Sequence, residues 1–210
     1  SVAAFIRQYM FSLIAGIRQE TRAGIQAIVL RGFLGGQAPA VQARAIAPMI
    51  GLTERQVVAV ANYRAALESG KFRDALARAS RDGRYDRTLL AAMQSKSPLR
   101  QEQIDAMVRR YAERSLKYRA EMIARTETLR AANAGLRESW RQAQEQGLLR
   151  VGQRQKWLVA HDERTCPVCR PVPGMNPDGV LLGTAFNTPD GRVESPPLHP
   201  QCRCSLGLVF

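Results

Sequence analysis

Apolar residues recur every three or four positions along most of this chain, and that interval is lost only near the carboxyl end. Val2, Phe5, Ile6, Met10, Leu13, Ile14 and Ile17 open the series. Ile25, Ile28, Val29 and Phe33 continue it until Gly35-Gly36 breaks the chain. Both runs are apolar almost all round, which predicts a hairpin of core helices. A short helix is expected over Ala40 to Ile46, with Gly51 turning the chain. Thr53 and Gln56 then form a capping box that opens a helix through Ser69, and Gly70 closes it. From Lys71 to Ala79 and from Asp86 to Gln94 the helical pattern is short, with Arg81-Asp82-Gly83-Arg84 as the turn between.

Ser97-Pro98 starts the longest element, Ser as N-cap and Pro at the first helical position. Ile104, Val108, Tyr111, Tyr118, Met122, Leu129, Ala132, Leu136 and Trp140 trace its apolar stripe, and Ala134-Gly135 is the expected break. After Gly147 the pattern changes. Leu148 to Val151 and Gln155 to Ala160 read as strands. Val180 to Gly191 reads as a hairpin turning at Thr188-Pro189-Asp190-Gly191, and Cys204 to Phe210 as a closing strand. The expected fold is α+β: a mainly α-helical amino-terminal two-thirds with a long amphipathic helix, then a small β-rich, zinc-knuckle-like module. The expected boundaries are 1–97 for the first helical region and 98–210 for the second domain, with the long helix at 98–146 and the module at 148–210.

Charge sharpens this picture. The 210 residues carry 31 Lys and Arg against 18 Asp and Glu, a formal net charge of +13, and such a field attracts polyanions. The excess concentrates in residues 71–150, with 18 basic and 10 acidic side chains. Arg109, Arg110, Arg114, Lys117, Arg119, Arg125, Arg130, Arg137 and Arg141 are available on the polar side of the long helix to neutralise phosphates without reading sequence. The competing reading is a solvated face stitched by pairs such as Glu121 with Arg125. No membrane partner is expected, because the apolar runs Gln8 to Ile17 and Ala23 to Leu30 fall short of the ~20 residues a bilayer requires.

All four cysteines and both histidines lie between His161 and Cys204. Cys166-Pro167-Val168-Cys169 presents two thiolates at one turn, the usual first half of a tetrahedral zinc site. Cys202 and Cys204 supply the second half, since alternate residues of an extended segment point the same way and Arg203 points away. His199 is the alternative ligand, giving three thiolates and one imidazole. His161 is a weaker candidate, and Asp162 is expected to hold the knuckle through backbone hydrogen bonds. Disulfides are the rival use of four cysteines. The chain shows no secretory leader, so reduced thiols and a structural zinc are expected.

Two other functions compete. Ala47, Gly51 and Val57 have helix-turn-helix spacing, which would make residues 40–69 a sequence-specific DNA reader in a zinc-containing regulator. A zinc-stapled nuclease lacks the second C-x-x-C and further His it would need, and no phosphate-binding or nucleophile-elbow motif occurs. Glu127 is expected to be a salt-bridge or packing residue rather than an acid-base catalyst. No catalytic residue is assigned, and a non-enzyme is expected.

Ile123-Ala124-Arg125-Thr126-Glu127-Thr128, Ala132-Asn133, Trp157, Asp162-x-Arg164-Thr165-Cys166-x-x-Cys169 and Pro196-Pro197-x-His199-Pro200-x-Cys202-Arg203-Cys204 resemble, in order and spacing, the phage Mu F-like head morphogenesis (minor capsid) family. The resemblance runs from Ser97 onward. One departure is the Pro171-Val172-Pro173-Gly174 run after the C-x-x-C, where the family often has Asp-Gly; here Asp178-Gly179 comes later. The resemblance implies a minor head protein of a tailed phage, located in the head interior or at the portal vertex, and in host cytoplasm during assembly. Its implied partners are the portal protein, non-specifically bound DNA, and the major capsid protein or further copies of itself.

Overall fold

The computed structural model describes residues 19–160 and 162–209; the apolar run over 2–17 and His161 lie outside them. In chain order the helices are α1 Gln19–Leu34, α2 Pro39–Ile46, α3 Glu54–Glu68, α4 Phe72–Leu76, α5 Asp86–Ser95, α6 Gln101–Glu145 and α7 Val172–Met175. The strands are β1 Arg154–Leu158, β2 Val180–Leu181, β3 Phe186–Thr188, β4 Gly191–Val193 and β5 Ser205–Leu208. The α+β class with a small carboxyl-terminal β module is what the sequence predicts. Two compact units divide the chain: Ala47–Ala120 forms one, and Ser1–Ile46 with Glu121–Phe210 forms the other.

The unit over Ala47–Ala120 is helical because its ends are capped and its apolar residues coincide on one side. The Thr53 side chain accepts from the Gln56 amide while Gln56 Oε1 accepts from the Thr53 amide, and Gly70 at φ 70° ends α3. Tyr63, Leu67, Phe72, Leu89, Ile104, Met107 and Tyr111 bury together, with the Tyr63 and Tyr111 rings stacked at 4.5 Å. Val57, which a helix-turn-helix would bury, is 53% exposed, which counts against that motif at residues 40–69.

The second unit holds α1, α2, the carboxyl-terminal part of α6 and all the strands. Gly32 is required where α1 meets α2, because a Cβ there would lie 2.6 Å from the Gln42 carboxamide. Gln42 is buried; it donates to the Gln37 carbonyl at 3.1 Å and accepts from Thr128 Oγ1 at 3.0 Å. The strands form an antiparallel sheet in the order β2-β1-β5, with Trp157 opposite Leu206, and a separate β3-β4 hairpin. Buried Asn176 ties the loops by donating to the Val172 and Asn187 carbonyls and accepting from the Asn187 amide. Trp157, Val172, Phe186 and Leu206 share one small core with Cys169, Cys202 and Cys204, and Leu129 and Trp140 of α6 pack against it.

Three expectations about local structure are corrected. Helix α6 begins at Gln101 rather than at Ser97-Pro98: the Ser97 hydroxyl donates back to the Ser95 carbonyl, and the Gln103 carboxamide accepts from the Arg100 amide at the helix start. Helix α6 runs without a break through Ala134-Gly135; both residues are buried, and packing offsets the ~1 kcal/mol that glycine costs a helix interior. Residues 148–151 form a helix-ending turn rather than a strand. The Leu148 and Leu149 amides donate back to the Ala143 carbonyl, Gly147 and Gly152 adopt positive φ, and Val151 is 95% exposed.

Candidate metal centre

The loop after β1 shapes the first pair of donors. Asp162 Oδ1 accepts from the Arg164 amide at 2.9 Å, the Thr165 hydroxyl donates to the Ala160 carbonyl, and the Cys169 amide donates to Cys166 Sγ at 3.2 Å. An amide directed at a sulphur stabilises its thiolate form. The second arm begins with a turn in which the Cys202 amide donates to the His199 carbonyl at 3.2 Å. Arg203 points away from the sulphurs, as alternation requires, and grips Asp162 at 2.7 and 2.5 Å, tying one arm to the other.

These arms bring five donors together. Cys166 Sγ is 2.9 Å and Cys169 Sγ 3.2 Å from His199 Nε2, and Cys169 Sγ is 3.8 Å from Cys202 Sγ. Two sulphurs each ~2.3 Å from a tetrahedral ion stand about 3.8 Å apart, so the last pair already has the required separation. Cys166, Cys169 and His199 form one trio, and Cys169, Cys202 and Cys204 another, each with its donor atoms within 4.8 Å of one another. Both trios could hold a metal ion, and Cys169 belongs to both. His199 Nδ1 lies 2.8 Å from the Pro200 carbonyl; with Nδ1 protonated to donate there, Nε2 faces the sulphurs unprotonated. A cavity of about 30 Å³, room for one small ion or water, is lined by Cys166, Cys169, His199, Cys202 and Cys204.

The electrostatics favour a mixed set of protonation states when the donors are alone. The Cys204 thiol bonding to its sulphur brings Cys202 down to about 5 against the effect of burial. Burial, then the neighbouring Cys166 sulphur, pushes Cys169 up to about 12, and the Cys202 bond raises Cys204 further. At Cys166 burial acts upward, but the Cys169 amide, the Cys169 thiol and nearby His199 together lower it. A metal cation draws all such thiols toward thiolate. The four cysteines are not disulfide-bonded.

The structure gathers the expected sulphurs and His199 in one place. It treats the nine cations of α6 differently. Arg110 pairs with Glu113, Arg130 grips both oxygens of fully buried Glu127, Arg137 pairs with Glu194, and Arg141 pairs with Glu138 and Glu145. Arg119 donates to the Gly51 carbonyl. Arg109, Arg114 and Arg125 present exposed side chains, as do Arg110 and Lys117, each of which also has an interaction of its own. Glu127 is therefore an ion-pair residue, as its mid-helix position suggests, with burial raising its pKa and Arg130 opposing the rise. Sequence reasoning missed Thr126 and Asn133 as contacts of the metal arm. Thr126 Oγ1 accepts from the Gln201 amide and Asn133 Oδ1 from the Leu206 amide. The available signal was two polar residues seven apart on a helix otherwise buried along that face.

The family model described as Phage Mu protein F like protein matches residues 62–207. The chain belongs to that family. The Mu F-like match starts 35 residues upstream of Ser97, where the sequence resemblance begins, and it spans every donor named above as well as Thr126 and Asn133. Membership makes this Mu F-like protein a phage head morphogenesis protein. No curated protein and no solved structure matches it. Among the described residues no helix is long and apolar enough to cross a membrane.

Proposed function

We propose that this Mu F-like chain is a minor head protein of a tailed phage, built into the particle at the portal vertex during head assembly, with a zinc-stapled carboxyl-terminal module as its docking end. The match over 62–207 is the observation that carries the reading, since it encloses the long helix α6 and the complete donor set. Three cysteines and a histidine are a donor set that zinc accepts; the Cys169–Cys202 separation matches a tetrahedral ion, and His199 Nε2 would draw back from Cys166 and Cys169 to about 3.5 Å on binding. Cys166, Cys169, Cys202 and His199 are its ligands, and Cys204 supports Cys202 through its backbone amide, 3.5 Å from the Cys202 sulphur. When bound, such an ion supplies cross-linking rather than catalysis, because four protein ligands leave no position for a reactive water. The protein's own part is to deliver the donors: the Cys166 to Cys169 turn and the His199 to Cys202 turn each present a pair, and Asp162 with Arg203 holds the turns together.

The exposed cations Arg109, Arg114, Lys117 and Arg125 suit contact with packaged DNA through phosphates alone, which makes binding sequence-independent and steeply salt-dependent. Exposed Leu34 and Val41, beside the α1–α2 turn, offer apolar surface to the portal or to another copy. Mass spectrometry and metal analysis of purified particles test the whole reading. The expected result is the chain present with the portal protein and one zinc per chain; its absence from particles would overturn the assignment.

A further inference from the structure

The turn that brings His199 and Cys202 together has an unfavourable residue in its third place. His199-Pro200-Gln201-Cys202 closes through the bond from the Cys202 amide to the His199 carbonyl, and Gln201 sits at φ 60°. That region suits glycine and, to a lesser degree, asparagine; for other side chains the left-handed conformation is disfavoured. Proline at the second place fixes the turn's first corner but does nothing for its third residue. In a turn of this kind the amide of the third residue is not used by the turn itself, and although Gln201 is exposed its amide is directed inward at α6.

Its partner there is Thr126. Its hydroxyl lies 3.0 Å from the Gln201 nitrogen, on a side chain that is only 1% exposed. Seven residues on, two helical turns along the same face, Asn133 is also 1% exposed and accepts from the Leu206 amide at 3.2 Å. Its own Nδ2 donates to the Leu129 carbonyl at 3.1 Å, which fixes the direction of the carboxamide. The two contacts bracket Cys202 and Cys204 on the chain. Neither Thr126 nor Asn133 is a metal donor, yet each sets the backbone from which the donors project.

We propose that Thr126 is a positioning residue of the metal centre: by accepting the Gln201 amide it holds the left-handed turn that places His199 Nε2 and Cys202 Sγ beside Cys169, with Asn133 fixing the far end of the same arm. The proposal rests on the metal-binding reading above. It accounts for a buried hydroxyl on a helix that needs none for its own backbone bonds, and for a glutamine where glycine is the easier choice.

The test combines four full-length chains, wild type, Thr126→Val, Thr126→Ser and Thr126→Val with Gln201→Gly, and two readouts. The first is zinc affinity by competition with a chromogenic chelator, with the thiolate-to-cobalt charge-transfer band as a check on the ligand set. Loss of an outer hydrogen bond to a metal site costs ~10–100-fold in affinity, and Thr126→Val is expected to fall in that range. Thr126→Ser restores the affinity, and adding Gln201→Gly to Thr126→Val recovers much of it, since glycine adopts the turn without the clamp. The second readout, hydrogen exchange at the Gln201 amide without metal, is slow in wild type and fast in Thr126→Val. Wild-type affinity in Thr126→Val, or no recovery on adding Gln201→Gly, overturns the proposal. Should wild type bind no zinc, the metal reading fails, and equal Gln201 exchange in wild type and Thr126→Val would then sink the clamp as well.

Discussion

The Ala47–Ala120 unit and the strand-bearing module over 154–208 solve the same problem in opposite ways. In the first, eleven buried apolar residues supply the core, and polar groups act at its edges as caps and ion pairs. In the second, three of seven buried core residues are cysteines, and the longest strand has five residues. Apolar burial at roughly 25 cal/mol per Å² can support the helical unit. So few large apolar side chains on short strands cannot readily do the same, which is why small modules of this kind depend on staples. Cysteines that could hold a metal ion make up that share of the core, so a chelator is expected to loosen the module and spare the helical unit.

The largest effect that separates the two is expected from the donor common to both trios. Cys169→Ser should weaken zinc binding by more than the ~10–100-fold that an outer hydrogen bond is worth. It should also remove amide protection from β1 and β5 while α3 to α5 keep theirs, as hydrogen exchange would show. The converse experiment is Leu67→Ala in the helical unit, a side chain 1% exposed. It should cost about 2–5 kcal/mol by denaturant unfolding and leave zinc stoichiometry unchanged. If the two variants alter each other's unit instead, the contrast between them is wrong.

A third experiment sharpens the contrast within α6. Arg130→Met leaves the Glu127 carboxylate buried without its cation, at a cost of about 3 kcal/mol near neutral pH. Burial already raises Glu127, so its protonated form is the one the folded state tolerates, and the mutant's deficit should shrink as pH is lowered from 7 towards 5. The smallest effect is at Asp82, which the bond from Arg84 lowers to about 2. A depressed carboxylate contributes stability above its ordinary value near 3.8 and loses it as pH falls through about 2. Asp82→Asn should flatten the melting-temperature profile over that window, with a small deficit at pH 7 that disappears as pH falls towards 2.

The sequence exposed local chemistry better than long-range geometry. The capping box at Thr53 and Gln56, the stop at Gly70 and the length of α6 were legible because each is set within a few residues. The absence of a break at Ala134-Gly135 was not, because burial of that stretch outweighs the intrinsic penalty on glycine. Along the expected stripe of α6, Ile104, Val108 and Tyr111 are buried, but Tyr118 is 56% and Leu136 39% exposed. The face buried further along carries Ile123, Ala124, Glu127, Ala131 and Ala134, and its polar members concealed it from a search for apolar periodicity. At the candidate site, Cys166, Cys169, His199, Cys202 and Cys204 were visible from spacing alone. The role of Thr126 was not, because nothing in a helix sequence shows which distant amide its hydroxyl will meet.

The claim on which the account depends is that one ion joins the two arms of the module. X-ray absorption at the zinc edge on the purified full-length chain, with stoichiometry by native mass spectrometry, measures it directly. The account predicts one zinc per chain in a shell of three sulphurs and one nitrogen. A chain that carries no metal after purification under reducing conditions with zinc supplied, or a shell without sulphur, would contradict it.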